Sequence, residues 1–263
     1  MISVHRGLWS VAPENSLAAI AAARVYDIIE IDTQVARDGV PVVLHDPDLT
    51  RTARSPLRPR DTDHATLVAQ ALLHGAGGPE AGFTNQRLPT LSQALDAAGP
   101  KAFFDIDVKY PEEVEAVASY LARRSQPTCG TLKIDANTPA EIDRLLSLQQ
   151  RSGIAVMAKV TLPQAGTDQI RALKNAGVVA VEVWFDDLEM LGAACAIAGD
   201  AMAVSTYTLD PVHCCGLSDS RARSDPDRVW GKLLEAGVTI IMTDLAPELD
   251  AYLGRENGGP AYR

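Results

Sequence analysis

Glu30, Asp32, His45 and Asp46 fall within one stretch of seventeen residues. Glu30 and Asp32 interrupt an apolar run, Ile28-Ile29-Glu30-Ile31-Asp32. Side chains two apart on a strand share a face, so two carboxylates leave one face of what reads as a buried strand. Such a pair is costly, because like charges repel and both lose water. A divalent cation would relieve that cost, since hard cations take oxygen ligands. An exposed strand face would need no cation, but the three isoleucines argue against exposure. The turn Asp38-Gly39 then reverses the chain, and Pro41-Val42-Val43-Leu44 delivers His45 back beside the carboxylates. Asp46 is expected to orient His45 or brace its loop rather than bind metal.

Upstream, His5-Arg6-Gly7 precedes Pro13-Glu14-Asn15-Ser16-Leu17-Ala18-Ala19-Ile20, and His45 opens a run His45-Asp46-Pro47-Asp48-Leu49-Thr50-Arg51-Thr52. Taken together, HRG…PENSLAAI, IEID and DGVPVVLHDPDLTRT resemble the glycerophosphodiester phosphodiesterase family, almost continuously over residues 5–52. Leu88-Pro89-Thr90-Leu91 and the closing Gly237–Asp244 segment are similar to later family features. The resemblance implies metal-dependent cleavage of a small-molecule phosphodiester to an alcohol and a phosphomonoester. It implies one Mg²⁺ or Ca²⁺ held by Glu30, Asp32 and Asp107. Where the family has Glu-x-Lys, this chain has Asp107 and Lys109, one methylene shorter at the third ligand. An ion-pair cluster of Asp107 with Lys109 is the plain alternative at that strand end.

His5 and His45 are the acid/base candidates, because imidazole titrates near neutral pH and a nearby charge tunes it. His45 is expected as base and His5 as acid. Arg6 would hold a non-bridging phosphate oxygen with its planar fork, and Lys109 would add a second cationic contact. Asn15 or Ser16 is the expected N-cap of the first helix, and Glu14 with Asn15 would cap it and fix the loop bearing Arg6. The nucleophile is water or a substrate hydroxyl that closes a cyclic phosphate. Related substrates include sugar phosphodiesters of the agrocinopine type and sphingomyelin-type lipids. Two readings from other classes are a Schiff-base lyase using Lys133 or Lys159 and a non-catalytic barrel that binds a phosphorylated ligand.

The chain has 263 residues, 46% hydrophobic, with 34 acidic and 24 basic residues and a formal net charge of −10. That balance argues against nucleic acid or an anionic membrane as partner. The four cysteines include no Cys-x-x-Cys pair, so no zinc or redox motif is indicated. His213-Cys214-Cys215 reads as a loop with incidental thiols or a neighbour-to-neighbour disulfide. Without a leader-like start or a long apolar run, a soluble, cytoplasmic protein with reduced thiols is expected, with no stable membrane association.

The elements that must position these residues alternate strand and helix. Strands are expected at Ile2–His5, Asp27–Gln34, Lys101–Lys109, Thr131–Asp135, Ile154–Val160, Val178–Trp184, Ala201–Thr206 and Val238–Thr243. Eight strand–helix units imply an α/β chain, a (β/α)8 TIM barrel with its site at the strand C-terminal ends. Residues 1–263 would form one domain, with a small insertion at about 50–90 between the second strand and second helix, one short helix near Ala65–Leu73, and an unstructured tail from Gly254. Strand ends also offer Lys159, Glu182 and Trp184 as substrate contacts. Lys159 could equally bridge to a neighbouring carboxylate, and Glu182 with Trp184 would face the barrel mouth or its core. Tyr207 takes the place of the family's substrate-walling aromatic. Arg51, Arg54, Arg58 and Arg60 either read the leaving group or are solvated loop arginines paired with the excess acidic groups.

Overall fold

The computed structural model describes residues 1–124 and 129–255. Its strands are β1 (Ile2–Val4), β2 (Ile28–Val35), β3 (Pro41–Val43), β4 (Ala71–Leu73), β5 (Phe83–Arg87), β6 (Phe104–Val108), β7 (Gly130–Asp135), β8 (Ala155–Thr161), β9 (Ala180–Trp184), β10 (Ala203–Tyr207) and β11 (Ile240–Thr243). The expected tail from Gly254 lies almost wholly outside the described residues. Two compact units make up the chain: Val4–Gly130, and Thr131 onward joined by Met1–Ser3.

In the unit Val4–Gly130, β2 pairs parallel with β6 and antiparallel with β3. All of β2 except its last residue is buried. The first helix, Leu17–Ala23, starts at Ser16, whose hydroxyl accepts from the Ala19 N–H. Ser16 is therefore the cap, not Glu14 or Asn15, which are drawn into the polar cluster described below. The helix Leu91–Ala98 opens on a capping box of Thr90 and Gln93, as the Leu-Pro-Thr-Leu sequence suggests.

The insertion departs from expectation. The expected helix is cut to His64–Leu67, a further helical turn forms at Thr50–Ala53, and Ala71–Leu73 is β4, paired antiparallel with β5. Ala71-Leu72-Leu73 suits a helix by composition, but a partner strand at Phe83–Arg87 takes its backbone. Leu72 also joins Val42, Leu44, Leu49, Leu67 and Leu88 in a separate apolar cluster. Each fully buried leucine contributes about 2 kcal/mol, enough to anchor the segment 49–53 beside His45.

In the other unit, β7, β8, β9, β10 and β11 lie side by side, each parallel to the next. The Met1 ammonium donates to the Thr239 carbonyl and the Ile241 N–H donates to the Met1 carbonyl, so the chain start is held beside β11. The helix Pro139–Ser152 has a Thr138–Glu141 capping box and ends on Gly153 in the left-handed region. Two helices escape the sequence pattern, Leu162–Ala165 and Asp219–Ser224, and Asp227–Gly231 is a π-helical turn before Lys232–Glu235. Asp219 docks its helix by accepting from the Thr208 and Thr243 hydroxyls and the Asp244 N–H. Burial pushes its carboxyl up to about 6 against those donors. Among the described residues no helix is long and apolar enough to cross a membrane. All four cysteines are free thiols, so Cys214 and Cys215 form no disulfide.

Candidate active site

The polar cluster of the unit Val4–Gly130 starts on β2. Glu30, Asp32 and Gln34 alternate along β2 and share its inner face, each at most 2% exposed. The parallel register sets Glu30 beside Asp105 and Asp32 beside Asp107. One carboxylate oxygen from each of Glu30, Asp32 and Asp107 lies within 4.8 Å of the others. The three residues proposed as metal ligands are thus brought together.

Lys109, two residues past Asp107, places Nζ 3.2 Å from Asp32 and 3.0 Å from Asp107. Arg6 Nε lies 3.1 Å from Asp32, and the Arg6 backbone N–H donates to Glu30 at 3.0 Å. Asn15 Nδ2 donates to Asp32 at 2.9 Å. Burial opposes the charge on Asp32, but Lys109 and Arg6 outweigh it and hold the carboxyl below its ordinary range. Burial also works against the Lys109 ammonium, and Asp32 with Asp107 more than restores it. Arg6 and Asn15 both sit in the left-handed region, at φ 55° and 57°. Strain of that kind in non-glycine residues persists where surrounding contacts over-determine the backbone. Here the Asn15 N–H donates to the Arg6 carbonyl at 2.8 Å, joining the two loops.

His45 leaves the end of the hairpin return as expected. Gln34 Nε2 donates to the carbonyls of Leu44 and Asp46, at 2.9 and 2.6 Å, and fixes that loop. His45 Nδ1 lies 2.7 Å from Asp46 Oδ1. Burial would raise the Asp46 carboxyl, but hydrogen bonds from His45 and Arg51 hold it well below the usual range. An ionised carboxylate only accepts, so in the neutral ring Nδ1 carries the proton and Nε2 keeps its lone pair. Asp46 therefore orients His45, as expected. His5 is partly exposed directly before Arg6.

Three of the four arginines expected to read a leaving group are engaged within the protein, and Arg58 is exposed. Arg51 grips Glu14 and Asp46. Arg54 donates to the carbonyls of Pro79 and Ala81 and lies 5.3 Å from the Phe83 ring centre. Arg60 lies 4.4 Å over Tyr110. A cavity of about 740 Å³ opens beside them, lined by Asp46, Pro47, Thr50, Arg51, Arg54 and Pro79 among others.

The remaining candidates belong to the other unit. Glu182 is buried and pairs with Lys133 at 2.7 Å, joining β9 to β7, so it takes the core option left open for it. The Lys133 amine is thereby buried in an ion pair rather than presented as a nucleophile. Lys159 lies 3.6 Å from Asp135, its neighbour in register. Trp184 and Tyr207 end β9 and β10, each partly exposed. Sequence reasoning missed Gln34 and the pairing of Arg51 with Glu14 and Asp46. The period of two from Glu30 and Asp32 reaches Gln34 and could have flagged it.

A metal fits these residues. Glu14, Glu30, Asp32, Asp46 and Asp107 face three cations, Arg6, Arg51 and Lys109, leaving at least two negative charges in excess. The all-oxygen donor set is that of a hard divalent ion.

The Glycerophosphoryl diester phosphodiesterase family matches residues 5–247. The putative glycerophosphodiester phosphodiesterase YhdW of Bacillus subtilis is 33% identical over 116 residues, covering 43% of this chain and 46% of that protein. Glycerophosphodiester phosphodiesterase 1 of Mus musculus is 36% identical over 95 residues, 35% of this chain and 28% of that protein. These alignments span less than half of each curated relative's own length. An Oleispira antarctica phosphodiesterase, solved in complex with the product sn-glycerol-3-phosphate, superposes with a TM-score of 0.71 at 19% identity, covering 97% of this chain and 96% of that one. A glycerophosphoryl diester phosphodiesterase from Parabacteroides distasonis gives 0.70 at 19% identity, over 97% and 86%. The fold is the (β/α)8 TIM barrel, and the chain belongs to the glycerophosphoryl diester phosphodiesterase family.

Proposed function

We propose that this protein is a metal-dependent phosphodiesterase that cleaves a glycerophosphodiester to an alcohol and a phosphomonoester. The observation that carries the reading is the convergence of Glu30, Asp32 and Asp107 beside an oriented His45–Asp46 pair. The relatives' names, and the sn-glycerol-3-phosphate complex of the Oleispira antarctica phosphodiesterase, support the substrate class. Glu30, Asp32 and Asp107 would hold Mg²⁺ or Ca²⁺, which when bound polarises phosphoryl oxygens and stabilises transition-state charge. Arg6, its backbone locked by Glu30 and Asn15, orients a non-bridging oxygen with its fork. Lys109 adds positive charge on the same side. Asp46 keeps the proton on His45 Nδ1, so that Nε2 accepts the proton of the nucleophile. His5 delivers a proton to the departing alkoxide. The cavity beside Asp46 and Arg51 is the space for the departing group. The free thiols suit a reducing compartment, and the cytoplasm is the location proposed.

The test is product release from glycerophosphocholine and glycerophosphoethanolamine, with and without EDTA, then with Mg²⁺ or Ca²⁺ restored. Alcohol and phosphomonoester should appear only with the metal. Chelator-resistant turnover, or covalent trapping of a substrate by borohydride, would overturn the reading.

A further inference from the structure

Arg51 does more than line a loop. Its Nε donates to Asp46 Oδ2 at 2.7 Å, and Nη2 donates to Asp46 Oδ1 at 2.9 Å. The same Nη2 donates to Glu14 Oε1 at 2.7 Å, while Nη1 donates to Glu14 Oε2 at 2.7 Å and to the Ala76 carbonyl. A guanidinium has five N–H donors, and these five contacts use them all. No donor remains for a substrate, so Arg51 is not a substrate contact.

What it joins is informative. Asp46 holds His45 Nδ1, and Glu14 receives Arg6 Nη1 at 3.1 Å. Arg6 in turn lies 3.1 Å from Asp32. Hydrogen bonds and ion pairs therefore run without a break from His45 through Asp46, Arg51, Glu14 and Arg6 to Asp32. Glu14 is almost fully buried and depends on two guanidiniums for its compensation. Without Arg51, Asp46 would lose its fork and Glu14 would have Arg6 alone. The backbone of Arg51 is pinned as well. The Gly78 N–H donates to its carbonyl at 2.8 Å, and a Cβ on Gly77, at φ +74°, would stand 2.3 Å from that oxygen.

We propose that Arg51 is a positioning residue that ties the proton-transfer pair His45–Asp46 to the phosphate-orienting pair Arg6–Glu14, so that both are set by one guanidinium. The proposal rests on the phosphodiesterase reading above. Because Arg51 lines the cavity of about 740 Å³, small guanidinium ions have a route to its place.

The experiment measures kcat and KM on glycerophosphocholine with saturating Mg²⁺ for wild type, Arg51→Gln, Arg51→Lys and Arg51→Gly. Loss of a residue that orients the reacting groups should lower kcat roughly 10- to 100-fold, with KM within about threefold. Arg51→Lys should recover little, since three donors cannot replace five. Free guanidinium, below denaturing concentration, should restore part of kcat to Arg51→Gly, and NaCl of equal ionic strength should not. A loss confined to KM, or wild-type kcat in Arg51→Gly, overturns the proposal, as does the absence of guanidinium recovery. If Arg51→Gly does not fold, Arg51→Lys carries the test, and full kcat there overturns it. If wild type cleaves no phosphodiester, the functional reading fails. The tie is then judged by ¹⁵N NMR of His45: it stands if Arg51→Gln mixes the two ring tautomers and falls if Nδ1 stays protonated as in wild type.

Discussion

Asp32 of β2 and Asp107 of β6 are direct register partners, and Lys109 Nζ lies 3.2 and 3.0 Å from them. Two carboxylates held opposite each other across a parallel pair would repel without a cation. Lys109 supplies part of that compensation, and the excess negative charge nearby is what the proposed divalent ion would offset. Asp32→Asn should therefore abolish Mg²⁺ binding measured by calorimetry, and Asp107→Glu, which restores the longer family side chain, should retain it. Equal affinity in Asp32→Asn and wild type would show that the trio is an ion-pair cluster alone.

The histidines should separate from the metal. His5→Ala and His45→Ala are each expected to lower kcat by about 100-fold or more, the range of general acid–base catalysis, while calorimetric Mg²⁺ affinity stays within a few-fold of wild type. Wild-type turnover in either variant would remove that histidine from proton transfer.

Asp46 links stability to pH. Its folded carboxyl lies well below the ordinary 3.8, because His45 and Arg51 outweigh burial. A depressed folded pKa contributes stability that is present above the unfolded value and is lost as pH falls through the folded one. The difference in urea-unfolding free energy between wild type and Asp46→Asn should be constant from neutral pH to about 5 and shrink below about 4. A difference that grew on acidification would contradict this arrangement.

Gly7 shows why the loop carrying Arg6 has so little freedom. It sits at φ +72°, and a Cβ there would meet the Ala19 carbonyl carbon at 2.8 Å and the Ile20 nitrogen at 2.9 Å. Both atoms are backbone of the first helix and cannot swing aside. Gly7→Ala should lower stability by at least ~1 kcal/mol, read as a lower thermal midpoint, and should raise KM as Arg6 is displaced. An unchanged midpoint would mean that the helix yields more easily than its packing indicates.

Local pattern alone determined a good part of this protein. The period of two placed Glu30 and Asp32 on one face, and the Asp38-Gly39 turn returned His45, because both depend on residues close in sequence. Strand and helix alternation marked the (β/α)8 order for the same reason, although it missed the helix Asp219–Ser224, whose start is held by Thr208 and Thr243 rather than by an apolar period. Composition suggested a helix through Ala71–Leu73, and only a partner strand ten residues later made it β4. Adjacency to the helix suggested Glu14 and Asn15 as caps, yet Arg51 and Asp32 claim them across 37 and 17 residues. Lys133 and Glu182, 49 residues apart, meet only because β8 aligns β7 with β9. Arg51 is the clearest case. Its neighbours in sequence mark an arginine in a loop, but its five donors are satisfied by Glu14, Asp46 and Ala76. A guanidinium's role follows from which acceptors the folded chain brings within about 3 Å, and that distance is decided by tertiary packing, not by spacing along the chain.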